Sequence, residues 1–430
     1  MNYRETIQYL YNLLPVFHLQ GAIAYKPGLK NTVKLMEALG NPHLKFKSVH
    51  IAGTNGKGSV SHYLSAVLQE SGYKTGLYTS PHLIDFAERI RINGSMINQQ
   101  YVIDFVAGNH DLIEEIQPSF FELTMAMCFC YFADNMVDIA VIETGMGGRL
   151  DSTNIISPEL SIITNIGFDH MEFLGNTLPE IASEKAGIIK ENTAVVIGET
   201  LPETKKVFDE FARMRCAKIY YSELHQLPVF ECFEGSKMKF AFQNNEYISR
   251  LPGMYQLKNI RTLMKAIEVL QATSFKISQN AIESGLKNVC ELTGLRGRWE
   301  ILRDNPRVIA DTAHNAHGMS QLNENLKHYN FYRLRIIIGM VKDKDLSAVL
   351  QKLPMDAIYY FTKAQIERSL SETDLKNKAT QAGLTGNSFE NISRAIETAL
   401  NDADERDIIL ITGSNFLVGE ALEAFGRRTT

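Results

Sequence analysis

Residues 47–72 read KSVHIAGTNGKGSVSHYLSAVLQESG, and this stretch decides how the rest of the chain is read. KSVHIA is a short apolar strand, Val60 onward carries helical spacing, and between them lie Gly53, Thr54, Asn55, Gly56, Lys57, Gly58 and Ser59. A glycine-rich turn between a strand and a helix is what a phosphate loop requires. Glycines let backbone N–H groups curl inward onto an anion, the helix N-terminus adds partial positive charge, and the lysine reaches the outer phosphates. Such a loop favours a nucleoside triphosphate. The segment departs from G-x-x-x-x-G-K-[ST] twice: Ile51 stands at the first glycine, and Gly58 stands where a hydroxyl would hold Mg²⁺. The metal's hydroxyl must come from elsewhere in the chain.

Outward from this unit, apolar strands alternate with helical patterns. Strands are expected at 76–79, 138–143 and 160–165, and again at 307–311, 335–339, 357–361 and 407–412. Helices are expected at 6–14, 31–39, 256–271 and 278–289, and HLQGAIAYKPG (18–28) reads as a loop. The alternation predicts an α/β fold with a mostly parallel sheet covered by helices. VFECFEGSKMKFAFQNNEYISRL (229–251) breaks it with β-prone runs between EGSK and QNNE turns, so a small antiparallel patch belongs there. GLRGRWE (294–300) is the candidate hinge before the second α/β unit.

At 430 residues the chain is roughly three times the ~150 expected of one domain, so at least two domains are required. Its 45% hydrophobic and 22% charged residues suffice for more than one core and exclude disorder, collagen and coiled coil. A net charge of −5 leaves no global positive field for nucleic acid or anionic lipid, so any anionic ligand must be held locally. Cys128, Cys130, Cys216, Cys232 and Cys290 show no zinc-ligand spacing and are expected to be reduced and mostly buried. With no leader pattern and no long apolar run, the expectation is a cytoplasmic monomer bound to neither nucleic acid nor membrane.

Candidate chemistry lies at the carboxyl ends of the strands, where open α/β sheets gather ligands. VDIAVIETGMGGRLDSTN ends a strand at Glu143, a carboxylate suited to Mg²⁺, and LSIITNIGFDH brings Asp169 and His170 to another strand end. In TLPEIASEKAGIIK, Lys185 follows Ile181 by four and precedes Ile188 by three, which turns it toward a core or cleft rather than solvent; a water-seeking lysine has the same spacing. Buried, its amine would lose charge and become nucleophilic. In the second unit DTAHN (311–315), GMVKDKD (339–345) and TGS (412–414) each follow a strand, and together they suggest a site facing the first unit.

The ordered set GTNGKGS, YTSPHL (78–83), ETGMGGRLDSTN (143–154), DHMEFLG (169–175), SEKAGIIK (183–190), DTAHN and TGS resembles the folylpolyglutamate synthase/dihydrofolate synthase family of the Mur-ligase superfamily, over essentially the whole chain. The resemblance implies a P-loop ATPase domain at 1–293, a hinge at 294–306 and a Rossmann-like glutamate-ligase domain at 307–430. It implies one or two Mg²⁺ ions held by Ser80, Glu143 and His170, which answers the missing loop hydroxyl. Lys185 matches a lysine that is N-carboxylated in relatives. ATP contacts carry over onto the phosphate loop with Lys57, and onto Asn259, Arg298 and Asp311. Lys57, Lys185 and His314 are the catalytic candidates, and His82, Asp151 and Ser414 are candidates for glutamate or folate contacts. Thr312 stands where the family commonly has Gly.

The implied reaction is an ATP-dependent ligation of L-glutamate to a reduced folate through an acyl phosphate. RLDSTN (149–154) looks like the form in bifunctional members that also act on dihydropteroate; a monofunctional folylpolyglutamate synthase is the alternative. A cell-wall Mur ligase is disfavoured because only 52 residues precede Gly53. A nucleotide switch that hydrolyses ATP without making a bond leaves the second-unit motifs unexplained.

Overall fold

The computed structural model describes residues 1–14, 28–342 and 345–426. The loop expected at 18–28 falls outside these residues except for Gly28, as do Asp343 and Lys344 of GMVKDKD.

Three sheets organise the described residues. The first contains β1 (Lys47–Ala52), β2 (Thr75–Tyr78), β3 (Ile90–Ile92), β4 (Ser95–Met96), β5 (Ile139–Glu143), β6 (Leu160–Ile163), β7 (Val195–Ile197) and β8 (Ile219–Tyr221), in the order β4-β3-β2-β5-β1-β6-β7-β8. β2, β5, β1, β6, β7 and β8 run parallel, while β3 and β4 add an antiparallel edge. β1 is buried on both faces beyond Lys47, as the central strand of a helix-covered parallel sheet must be. The chain leaves β1 toward β2 on one side and later returns to β6 on the other. This switch of direction opens a crevice above β1's carboxyl end, between β5 and β6.

The antiparallel patch forms as expected: β9 (Val229–Glu234), β10 (Lys237–Phe242) and β11 (Asn245–Ser249) make a three-stranded sheet. Met238, Phe240 and Phe242 alternate inward and join one apolar cluster with Leu257, Ile260 and Leu263 of the helix Gln256–Gln271. That helix has the bounds its periodicity predicts.

The third sheet has the order β12-β13-β17-β14-β15-β16, comprising β12 (Glu300–Asp304), β13 (Arg307–Ala310), β14 (Leu334–Ile338), β15 (Ile358–Phe361), β16 (Gly386–Ser388) and β17 (Ile408–Thr412). All its pairs are parallel except β12 with β13. The expected linker at 294–306 is therefore too long. Glu300–Asp304 hydrogen-bonds into this sheet, and Trp299 is fully buried in its core, its indole N–H donating to Tyr329 at 2.9 Å. The expectation for the cysteines also fails in part. All five are unpaired thiols, but only Cys128 is buried; Cys216 and Cys232 are exposed, the latter on the outer strand β9. Among the described residues no helix is long and apolar enough to cross a membrane.

Candidate active site

The turn after β1 is built by close approach. Gly53 has φ +150°, and a Cβ there would sit 1.9 Å from Thr164 Oγ1; Gly56, with φ +84°, would press on Asn259 Oδ1 at 2.3 Å. The side chain of Thr164, just after β6, and that of Asn259 in the helix Gln256–Gln271 thus occupy the space the glycines vacate. The loop is further tied to the residues after β6: Thr54 N donates to Asn165 O at 3.0 Å, and Asn55 N to Asn165 Oδ1 at 2.9 Å. Lys57 Nζ donates back to Gly53 O at 2.9 Å, and Lys185 Nζ reaches the same oxygen at 3.0 Å. Two amines therefore share one carbonyl.

Glu143 ends β5 and is buried. A Cβ on Gly58 would stand 3.8 Å from Glu143 Oε2 and 3.7 Å from Arg298 Nη2, so a carboxylate and a guanidinium flank the position that lacks a hydroxyl. Burial pushes the Glu143 carboxyl up to about 7, against the pull of Lys57, Arg298 and a backbone hydrogen bond from Ser80. Burial brings Lys185 down to about 7, with Lys57 adding to the effect and Asp169 opposing it. Of the two readings of Lys185, the inward-facing one holds.

The third sheet supplies the other side of the cleft. Asp311 follows β13, is buried, and accepts from Tyr255 Oη at 2.7 Å, Trp299 N at 2.8 Å and Ala313 N at 2.9 Å; burial raises its pKa, with Arg298 opposing. Thr312, in place of the family's glycine, is accommodated because Gly297 lies opposite: a Cβ there would be 3.1 Å from the threonine methyl. His314 Nδ1 lies 3.0 Å from Thr312 O, and its Nε2 is 3.6 Å from Asp169 Oδ2. Asn315 Nδ2 donates to Asn55 Oδ1 of the phosphate loop at 3.0 Å. Ser414, after β17, is buried and accepts from Leu417 N at 3.1 Å.

One cavity of about 350 Å³, of a size suited to small molecules, is lined by residues from both sides. It brings together the whole phosphate loop with Ser80, Glu143, Asp151, His170, Lys185, Asn259, Arg298, Asp311, His314 and Ser414. His82 is the exception. It does not line the cavity; Arg89 Nε donates to its Nδ1 at 2.8 Å and the Tyr11 hydroxyl lies 3.2 Å from its Nε2. Asp151 lines the cavity, but its carboxylate also accepts from Thr153 N, Thr153 Oγ1 and Met146 N.

Sequence reasoning missed several lining residues: Arg89, Phe120, Tyr255, Asn165 and the ion pair Lys258–Glu199 at 2.6 Å. For Phe120 a signal existed. Ser119 and Glu122 form a capping box, which marks a helix start and puts Phe120 at its first position, beside the cleft.

Two family models match the chain: the Mur ligase middle domain over residues 51–267, and the Mur ligase glutamate ligase domain over 297–415. Fold and site together define an ATP-dependent ligase of the Mur type. The dihydrofolate synthase/folylpolyglutamate synthase of Bacillus subtilis (strain 168) is 34% identical over 418 residues, covering 92% of this chain and 94% of the relative. Among solved structures, folylpolyglutamate synthase of Mycobacterium tuberculosis, complexed with ADP and AMPPCP, has a TM-score of 0.87 at 30% identity over 99% of both chains. Escherichia coli FolC, in complex with DHPP and ADP, has a TM-score of 0.84 at 26% identity over 100% of this chain and 99% of that one. The chain belongs to the dihydrofolate synthase/folylpolyglutamate synthase family of Mur ligases.

Proposed function

We propose that this enzyme joins L-glutamate to a reduced folate, using ATP, and that it also acts on dihydropteroate. The observation that carries this is the shared cleft: a phosphate loop on one side, and on the other Asp311, His314 and Ser414 from the segment matched by the glutamate ligase profile. An oxygen of the substrate carboxylate attacks the γ-phosphorus of ATP, ADP leaves, and an acyl phosphate forms. The glutamate amine then attacks the acyl carbon, phosphate leaves with the former carboxylate oxygen, and the amine loses a proton.

Lys57 and the N–H groups at the start of the helix Lys57–Glu70 offset charge on the transferring phosphoryl group. Asn259, Arg298 and Asp311 are assigned to ATP, and His314 to the phosphoryl end of the cleft. Ser80, Glu143 and His170 suit Mg²⁺, because a hydroxyl and a carboxylate provide hard oxygen donors. When bound, the ion would neutralise phosphate charge. Residues 1–293 are assigned as the ATPase domain, and the residues from Trp299 onward as the glutamate-ligase domain. Closure of one on the other would exclude water from the acyl phosphate.

Lys185 is assigned as an N-carboxylysine. Its amine, brought down to about 7, is substantially neutral at physiological pH, the form that adds to CO₂ with release of a proton. A crystal structure grown with bicarbonate at pH 8 that shows a bare amine would remove this assignment. The function is tested by ATP turnover and product formation with tetrahydrofolate and with dihydropteroate, each with and without glutamate. Glutamylation of both acceptors is expected. Glutamate-independent ATP hydrolysis with no ligated product would overturn the ligase, and product from tetrahydrofolate alone would overturn the second activity.

A further inference from the structure

Six lysine and arginine side chains line the cleft among the described residues: Lys57, Arg89, Lys185, Lys258, Arg298 and Arg368. The first five come from the residues before β12. Arg298 acts electrostatically on Glu143 and Asp311. Arg368 alone comes from the third sheet's side.

Its position is fixed by the backbone. Arg368 lies in the loop after β15, and that loop is laced to the residues after β14: Lys342 N donates to Arg368 O at 3.1 Å, Leu370 N donates to Met340 O at 2.9 Å, and Val341 bridges to Ser369. Strand order then sets the row of groups along the carboxyl edge. Asp311 and His314 follow β13, Ser414 follows β17, Val341 follows β14, and Arg368 follows β15; all of them line the cleft.

The nucleophile of the proposed ligation is an amino acid that must attack as a neutral amine while its two carboxylates remain ionised. Those carboxylates need a cation that is not engaged with the phosphates, on the side bearing the glutamate ligase segment. A guanidinium presents paired N–H groups in the geometry a carboxylate accepts. Resting on the ligase activity proposed above, we infer that Arg368 binds a carboxylate of the incoming glutamate and restricts the reaction to acidic amino acids.

The test uses the full-length enzyme with Mg²⁺, ATP and tetrahydrofolate, comparing wild type with Arg368→Gln and Arg368→Lys. Hydroxylamine serves as a second nucleophile: it carries no carboxylate and captures the acyl phosphate as a hydroxamate with release of phosphate. Loss of a charge-assisted contact is expected to raise KM for glutamate about 10- to 100-fold in Arg368→Gln, with partial recovery in Arg368→Lys. KM for ATP should move less than twofold, and the ratio of hydroxamate to glutamylated product should rise. An unchanged KM for glutamate, or an equal rise in KM for glutamate and ATP with hydroxamate lost in parallel, overturns the assignment. If the wild type forms neither product, the ligase activity itself fails, so the two failures are distinguishable.

Discussion

Glu143 and Lys185 are both buried, and burial moves each toward neutrality from opposite ends of the scale. Glu143 rises from an ordinary 4.5 to about 7, so between those values the folded protein holds a proton that the unfolded chain has released. Stability from this group is present below pH 4.5 and falls as pH rises through 7. Lys185 drops from 10.5 to about 7, so between 7 and 10.5 the unfolded chain holds the extra proton, and its contribution rises with pH. A tenfold change in proton affinity between the folded and unfolded chain corresponds to about 1.4 kcal/mol. Glu143→Gln, melted in EDTA without nucleotide, should therefore exceed the wild type in Tm at pH 8, with the gap closing toward pH 5. The same variant should lose Mg²⁺-dependent turnover. A gap that does not vary with pH would show that burial of the charge is not what the wild type endures.

At the scale of elements, the unit of β1, loop and helix was fully legible, because its signals are local: a switch from strand to helix period, punctuated by glycines. What each glycine does is a tertiary matter. Gly53→Ala puts a methyl against Thr164 Oγ1 in a left-handed conformation and should cost about 2 kcal/mol or more, read as a lowered midpoint in urea. Gly58→Ala meets only ordinary contacts, at 3.7 and 3.8 Å, and should leave the midpoint within about 0.5 kcal/mol of wild type while raising KM for ATP. Equal midpoints for the two variants would refute this account. Asn165 escaped notice for the same reason: its value lies in contacts with Thr54 and Asn55, far away in sequence. β12 escaped because EILRD mixes apolar and charged residues, so only its pairing with β13 makes it a strand. Asp311 and Ser414 could be placed at their edges by position, and Arg298 only through the resemblance, but the partners of none of them could be read.

At the scale of the molecule, the two large sheets are linked at the cleft and again through the small sheet. Phe233 of β9 stacks on Tyr329 at 5.3 Å, and Phe230 meets His328 edge-on at 5.1 Å. Nothing in VFECFEG foretold this, since aromatic residues on an outer strand ordinarily signal only β propensity. Phe233→Ala should lower stability by about 1–2 kcal/mol through lost ring contact. It should also reduce kcat more than it changes KM for ATP, because the phosphate loop is untouched while the second anchor between the sheets is weakened. Thermal melting and steady-state kinetics check the pair of effects; a change confined to KM for ATP would count against the anchor.

The single carbonyl of Gly53, shared by two amines, also sets up a competition. While the loop is empty, the charge of Lys57 helps keep Lys185 unprotonated and reactive toward CO₂. Phosphates at the loop would offset that charge and so favour the protonated amine. On the carboxylysine assignment proposed above, nucleotide and CO₂ therefore compete through a single carbonyl, although they touch different side chains. Uptake of ¹³C-bicarbonate that is slowed by a non-hydrolysable ATP analogue is the expected outcome of that competition.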